Sequence, residues 1–103
     1  MEAGRALNSK VFSLARLELL AALAPLSADG AAFRELKAGL QLSDGALHSN
    51  LKALKEMGYV KSKEFKVENK KLDVFWITPE GLQEFGQTKK WLEEFADFGG
   101  GGK

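Results

Sequence analysis

The chain has 103 residues, of which 45% are apolar and 28% are charged, and these totals are typical of one globular domain with its own core. It has no cysteine, so disulfides, thiolate metal sites and cysteine nucleophiles are excluded. The net charge of +1 is unevenly spread, because residues 1–42 carry +1, residues 43–71 carry +3 and residues 72–103 carry −3. A basic middle section of this kind favours a polyanionic partner.

The sequence also lacks the usual signs of membrane insertion or export. No apolar run approaches the length of a membrane span, and the N-terminus does not have the layout of a signal peptide. We therefore expect a cytoplasmic protein.

The first predicted helix covers residues 11–24 and follows an N-terminal segment, residues 1–8, that we expect to be flexible. Asn8 or Ser9 can cap this helix, Ser13 is a rival start for its main part, and Pro25 ends it. Its apolar residues cover more than one stripe, which indicates burial against two surfaces, and a second subunit would supply one of them. The stripes consist of Phe12, Ala15, Leu19 and Leu23, and of Leu14, Leu17 and Leu20.

The next predicted elements are short. Residues 27–30 form a turn cluster, and residues 30–32 are compatible with a very short strand. Phe33, Leu36 and Leu40 then predict a short helix, with Gly39 weakening its end. Only a few residues separate this helix from the next, which is the helix-turn-helix arrangement.

The third predicted helix, residues 43–57, divides into an apolar face and a polar face. Ser43 or Asp44 can cap it, and Gly58 ends it because glycine readily adopts the left-handed conformation. One stripe faces a core and consists of Leu47, Leu51, Leu54 and Met57. The opposite face is small, polar or basic and consists of Ala46, His48, Ser49, Lys52 and Lys55. This division indicates a negatively charged partner for the polar face.

After Gly58 the pattern becomes β-prone. Residues 59–67 and 72–78 predict two strands, and the polar residues 68–71 predict a lysine-rich turn between them. At least one of Phe75 and Trp76 is expected in the core. Thr78 as cap and Pro79 as first residue begin a C-terminal helix, residues 79–97, and residues 99–103 form a flexible glycine-rich tail. The predicted fold is mainly α with a small β-hairpin, in one domain over residues 9–98.

This order resembles the winged helix-turn-helix regulators of bacteria and archaea, in the broad MarR- and ArsR-like group. The motifs that carry the resemblance span roughly residues 10–96 and are Ser13-Leu-Ala-Arg-Leu-Glu-Leu-Leu20, Phe33-Arg-Glu-Leu36, Leu42-Ser-Asp-Gly-Ala-Leu47, Leu51-Lys-Ala-Leu-Lys-Glu-Met-Gly-Tyr-Val60 and Trp76-Ile-Thr-Pro-Glu-Gly81. The resemblance implies a three-helix core, a sheet of two or three strands, a recognition helix at residues 43–57 and a wing at residues 59–78. It also implies a homodimer that binds a pseudo-palindromic site on double-stranded DNA and regulates transcription.

The resemblance also assigns roles to individual residues. The expected DNA-binding residues are Ser43, Asp44, Gly45, Ala46, His48, Ser49, Lys52, Lys66, Lys70 and Lys71. Gly45 lets the helix N-terminus approach a phosphate, and His48 and Ser49 contact base edges or phosphates. The wing carries lysine where such regulators usually have arginine, which favours phosphate contact over reading of the minor groove. The expected dimer interface consists of Phe12, Leu17, Leu82, Phe85, Leu92 and Phe95.

Other functions have less support in the sequence. A single histidine without cysteine does not build an ordinary zinc site, and no nucleophile has a base nearby, so we predict no metal, no cofactor and no enzyme. The wing lysines could instead solubilise an exposed hairpin, and the fold could serve as a protein-interaction module without DNA binding. The sequence does not predict the operator, an effector, or repression as opposed to activation.

Overall fold

The computed structural model describes residues 13–100, with side chains described for residues 13–94. Within these residues the polypeptide forms four helices and a small sheet, which confirms the predicted mainly α fold with a β-hairpin. In chain order these are α1 (Leu14–Leu23), a 3-10 segment (Ala24–Asp29), β1 (Ala31–Ala32), α2 (Phe33–Leu40), α3 (Asp44–Glu56), β2 (Val60–Val67), β3 (Lys70–Ile77) and α4 (Pro79–Gly100). The strands form one antiparallel sheet in the order β1-β3-β2.

Helix α1 begins at the rival cap. The Ser13 side chain accepts a hydrogen bond from the backbone N–H of Arg16 at 3.2 Å. The other start, at Asn8 or Ser9, lies outside the described residues. The helix ends at Leu23, and Pro25 lies in the 3-10 segment that follows, where Ser27 has a positive φ of 51°. The very short strand of the sequence analysis is β1, whose two residues pair with Val74 and Phe75.

Helix α3 has the boundaries that its sequence indicated. Ser43, and not Asp44, is the cap, because its side chain accepts a hydrogen bond from the N–H of Ala46 at 3.1 Å. After the helix, Gly58 has a φ of +83° and the N–H of Tyr59 donates to the carbonyl of Leu54 at 3.0 Å, which closes the helix end. The preceding helix α2 covers the residues that its sequence indicated, with Gly39 in its last turn, and Gln41 follows it in the left-handed conformation.

The hairpin turn is shorter than its sequence suggested. Glu68 and Asn69 have φ of 51° and 65°, so they form a two-residue turn with two positive φ angles, as in type I′ hairpins. The expected four-residue turn over residues 68–71 is therefore wrong. Lys70 and Lys71 lie in strand β3, opposite Val67 and Lys66 respectively.

The core is formed by leucines of the three N-terminal helices and by the base of the hairpin. Its members are Leu19, Leu20, Leu23, Ala31, Leu36, Leu47, Leu51, Leu54, Val60, Phe75 and Ile77. Phe75 is buried while Trp76 is half-buried, as the alternation predicted. Burial of the apolar stripe of α3 in this core fixes its polar face on the outside.

Helix α4 is attached to the hairpin through its cap. The Thr78 hydroxyl accepts from the N–H of Gly81 at 3.0 Å and donates to the carbonyl of Gly58 at 2.7 Å. A Cβ on Gly81 would collide with the Tyr59 carbonyl, so a larger residue would push the helix away. The helix includes Gly99 and Gly100, which the sequence analysis assigned to the tail. None of the helices within residues 13–100 is both long and apolar enough to cross a membrane.

Candidate nucleic-acid interface

The outward face of α3 carries most of the predicted contact residues. Its three inward leucines are buried, whereas His48, Ser49 and Lys52 between them are exposed. Exposed residues at the start of the helix and along this face are Ser43, Asp44, Gly45, His48, Ser49 and Lys52, and Ala46 is half-buried. The helix therefore presents a continuous polar strip that the core does not use.

The N-terminus of α3 is open to an approaching anion. Ser43 caps the N–H of Ala46, while the first N–H groups of a helix have no partner within the helix itself. No atom lies within 4 Å of the position that a Cβ would occupy on Gly45. The missing side chain is thus not needed for packing, and it leaves room for a phosphate at the positive end of the helix dipole.

A carboxylate also lies at this N-terminus. Lys37 Nζ of α2 is 2.7 Å from Asp44 Oδ1, and both side chains are substantially exposed. The hydrogen bond and the positive charge of Lys37, with a smaller contribution from His48, hold the pKa of Asp44 below its usual value of 3.8. Asp44 therefore stays ionised at neutral pH, and Lys37 offsets a negative charge that would repel DNA. The sequence analysis did not include Lys37 because it belongs to a different helix.

His48 is held by an aromatic neighbour. Its ring centroid lies 4.4 Å from that of Phe33, with an angle of 30° between the rings. Phe33 in turn lies 6.4 Å from the buried Phe75. The imidazole is therefore exposed but positioned, which suits a residue that contacts a ligand. The sequence analysis assigned Phe33 only to the core stripe of α2.

A polar clamp joins α1 to α3, and the sequence analysis missed it. Arg16 Nε donates to Asn50 Oδ1 at 3.0 Å, and Asn50 Nδ2 donates to the carbonyl of Ala46 at 2.8 Å. A signal was available, because Asn50 falls between Leu47 and Leu54 at the spacing of the buried stripe. A half-buried amide at such a position requires hydrogen-bond partners.

The wing lysines do not form a single patch. Side chains alternate across a hairpin, so Lys66 and its cross-strand partner Lys71 share one face, and Lys70 lies on the other beside Val67. The face of Lys66 and Lys71 also includes Ser62, which lines a groove of ≈ 220 Å³ together with His48 and further residues of α3. We call the hairpin face that contains Ser62, Lys66 and Lys71 the inner wing face. Lys66 and Lys71 continue the basic side of α3, and Lys70 lies at the tip.

The inner wing face also carries two acids. Glu64 and Asp73 are directly opposite each other in the register. Lys71 Nζ lies 4.0 Å from Glu64 Oε2, and with both side chains more than half exposed this pair contributes little stability. On the inner wing face the two lysines therefore lie towards the tip of the hairpin, and the two acids lie closer to the core.

The predicted interface residues for a second subunit are divided between two surfaces. Leu17, Phe85 and Leu92 line an apolar groove of ≈ 440 Å³ between α1 and α4. Leu82 lies elsewhere, beside Trp76. Phe12 and the side chain of Phe95 lie outside the described part of the structure. Two exposed leucines line the α1–α4 groove, since Leu14 is 72% exposed and Leu92 is 40% exposed.

Comparison with known proteins is consistent with this architecture. The family model described as "Winged helix DNA-binding domain" matches residues 15–96. A transcriptional regulator homologue from Pyrococcus horikoshii OT3 superposes with a TM-score of 0.82 at 24% identity, over 94% of this chain and 96% of that one. MarR gives a TM-score of 0.76 at 19% identity, over 92% of this chain and 67% of that one. At these identities the structures establish a shared fold. No match was found among curated protein sequences.

One further structural neighbour was solved with DNA. The MepR–DNA complex of S. aureus superposes with a TM-score of 0.74 at 14% identity, and the match covers 93% of this chain and 77% of that one. Its likeness to the present chain again establishes the fold. Together the neighbours show that this chain shares the winged helix fold of MarR and MepR.

Proposed function

The chain belongs to the winged helix DNA-binding domain family, and on that premise we propose that it is a homodimeric transcriptional regulator that binds double-stranded DNA with sequence preference in the cytoplasm. The family is one of DNA-binding domains and not of enzymes, which agrees with the prediction that the chain is no enzyme. The observation that carries the proposal is the exposed polar face of α3. Its N-terminus is capped by Ser43 and has free space at Gly45, and a hairpin face with two lysines lies beside it.

The recognition helix α3 would enter the major groove with its N-terminus first. The dipole and free N–H groups at Gly45 suit a backbone phosphate, and Lys52 suits another. His48 and Ser49 are the side chains best placed for base edges, because both are exposed and one is held by Phe33. Phosphate contacts would then position the helix, and these two residues would supply the sequence preference.

The wing would add electrostatic contacts to the neighbouring backbone. Lys66 and Lys71 lie on the inner wing face, on the side of α3, and Lys70 lies at the tip. Each phosphate that a lysine neutralises releases counterions, so affinity should fall with salt. The position of these lysines supports a role of the wing in binding. Solubility alone would not require Lys66 and Lys71 to lie on the hairpin face that borders α3.

A second copy would cover the groove between α1 and α4. The groove is lined by the apolar side chains of Leu17, Phe85 and Leu92, and in an isolated subunit this surface would be exposed to water. Two-fold symmetry would place two recognition helices on one side of the dimer, so the preferred site is pseudo-palindromic, with half-sites about one helical turn apart.

The test is a fluorescence anisotropy titration of duplex fragments at two salt concentrations. We expect binding that weakens steeply with salt, roughly in proportion to the number of lysine–phosphate contacts. A matched pair of variants locates the contact: Lys52→Glu on α3 should abolish it, and Lys90→Glu on the exposed side of α4 should not. Salt-insensitive binding, or none to any duplex, would contradict the proposal and favour a protein-interaction module.

A further inference from the structure

The hairpin has a second face that the proposed DNA contact does not use, apart from Lys70 at the tip. One face of the hairpin lies opposite the inner wing face, and we call it the outer wing face. By alternation it consists of Lys61, Lys63, Phe65, Val67, Lys70, Leu72, Val74 and Trp76. Phe65 is 41% exposed and Val67 is 52% exposed. Phe65 is the direct cross-strand partner of Leu72, so the apolar side chains form one patch and are not scattered.

Folding alone does not account for this patch. A hairpin that projects into solvent normally keeps apolar residues on its core side and polar residues on the other. Lysine on an edge strand is explained by protection against unwanted pairing, but that reason applies to Lys61 and Lys63 and not to an exposed phenylalanine and valine. Contiguous exposed apolar surface is typical of an interaction site.

Charge indicates what the patch would bind. The two strands place both of their carboxylates, Glu64 and Asp73, on the inner wing face and none on the outer one. Lys63 Nζ lies 5.4 Å from the centroid of the Phe65 ring, so a positive charge borders the apolar surface directly. An occupant with acidic and apolar side chains would satisfy both properties. The same face of a second copy would not, because lysine would meet lysine.

We propose that the outer wing face is a docking surface for an acidic protein segment that carries apolar side chains. Duplex DNA on α3 would occupy the inner wing face, so both partners could bind together. A single-stranded nucleic acid fits less well, since stacking platforms need several exposed aromatic rings. On this surface Phe65 is exposed, whereas Trp76 is half-buried at the base of the hairpin. Strand β2 is 8 residues long, so an extended segment of similar length would span it.

The test uses a synthetic decapeptide of alternating glutamate and leucine as the probe, added to the isotope-labelled full chain. We expect amide shifts in a nuclear magnetic resonance titration at Lys63, Phe65 and Leu72 and none at His48 or Ser49. Anisotropy with the labelled peptide should show roughly tenfold weaker binding to Lys63→Glu and to Phe65→Thr. Threonine keeps the β preference of position 65, so the hairpin is retained, as the amide spectrum would verify.

The matched control is Lys66→Glu, on the same strand but on the inner wing face. It should weaken duplex binding and leave peptide affinity unchanged, whereas Phe65→Thr should do the reverse. Three outcomes would overturn the proposal: no peptide binding up to about 1 mM, equal affinity for all three variants, or shifts at the outer wing face only with oligothymidine or anionic lipid vesicles. Because duplex binding is measured separately, failure here is distinguishable from failure of the DNA proposal.

Discussion

At the scale of single residues, Gly45 lowers the stability of the fold but has a proposed use in binding. Glycine inside a helix lowers its stability relative to alanine, and a Cβ at position 45 would meet no other atom of the protein. The fold therefore loses stability with this glycine and gains no packing in return. The proposed approach of a phosphate would account for a glycine at this position.

We expect Gly45→Ala to stabilise the protein and to weaken DNA binding. The gain in unfolding free energy should be up to about 1 kcal/mol, measured by urea denaturation. Duplex affinity should fall because the added methyl group meets the phosphate. Gly39→Ala is the matched control, since a Cβ there is also unobstructed but lies on α2. If both variants bind DNA as tightly as the original chain, no phosphate approaches Gly45.

The ion pair at the start of α3 gives a pH-dependent prediction. Lys37 lowers the pKa of Asp44, so the ionised carboxylate is favoured in the folded state. Its small contribution to stability is therefore complete above the unfolded pKa of about 3.9 and is lost as the pH falls through the lower folded pKa. Carboxyl resonances titrated by nuclear magnetic resonance should place the Asp44 midpoint below 3.8. In Lys37→Gln the midpoint should rise, and an unchanged midpoint would assign the shift to another cause.

At the scale of elements, the orientation of α3 depends on more than its leucine stripe. Asn50 connects the helix to α1 through Arg16 and bonds back to the carbonyl of Ala46. Apolar packing resists separation of two helices but allows some sliding, whereas paired hydrogen bonds fix a register. These hydrogen bonds therefore fix the position of α3 along α1, and with it the position of the proposed contact residues.

We expect Asn50→Ala to lower the free energy of unfolding by about 1 to 3 kcal/mol, because Arg16 loses a partner in a half-buried site. Duplex affinity should fall as well, since α3 is less firmly held. Ser49→Ala is the neighbouring control, with an exposed side chain. It should leave stability unchanged within about 0.5 kcal/mol and alter the preference among duplex sequences. Equal stability of the two variants in chemical denaturation would show that the clamp is unimportant.

The wing gives a second prediction at this scale. Replacing Lys66 and Lys71 by glutamate should weaken all duplexes alike and reduce the salt dependence of binding, because phosphate contacts carry no sequence information. Lys61→Glu, also exposed but on the outer wing face, should have a smaller effect. Anisotropy on two unrelated duplexes at two salt concentrations measures both quantities. Loss confined to one duplex would mean that the wing reads sequence.

The elements differ in how far the sequence predicted them. Helix α3 was predicted with both of its ends, because Ser43, Gly58 and the leucine stripe act locally. The hairpin register was not, since its turn uses Glu68 and Asn69 with positive φ and lacks the glycine that usually marks such a turn. The contacts that position the site join different helices. Phe33 beside His48 and Lys37 beside Asp44 follow from packing, which spacing along the chain does not reveal.

At the scale of the whole molecule, the basic and acidic sections of the sequence lie on different elements of the fold. The basic section, residues 43–71, contains α3 and most of the hairpin. The acidic section, residues 72–103, begins within β3 and continues through α4. The helix that lines the apolar groove is thus the acidic one, away from the proposed DNA contact. This separation favours assembly through α1 and α4, because the carboxylates of α4 stay apart from the lysines of α3 and of the wing.

The last prediction concerns that assembly. Leu92→Glu introduces a charge into the apolar groove, at a side chain that is 40% exposed, so burial against a second copy should become unfavourable. Sedimentation velocity should show a monomer that keeps its helical content. Its affinity for a duplex with two half-sites should fall towards that for one half-site, because the two recognition helices are no longer linked.

Leu26→Glu is the control, at a side chain that is 37% exposed and does not line the groove, and it should remain dimeric. If Leu92→Glu is as dimeric as this control, the subunits meet elsewhere and the α1–α4 groove has another occupant.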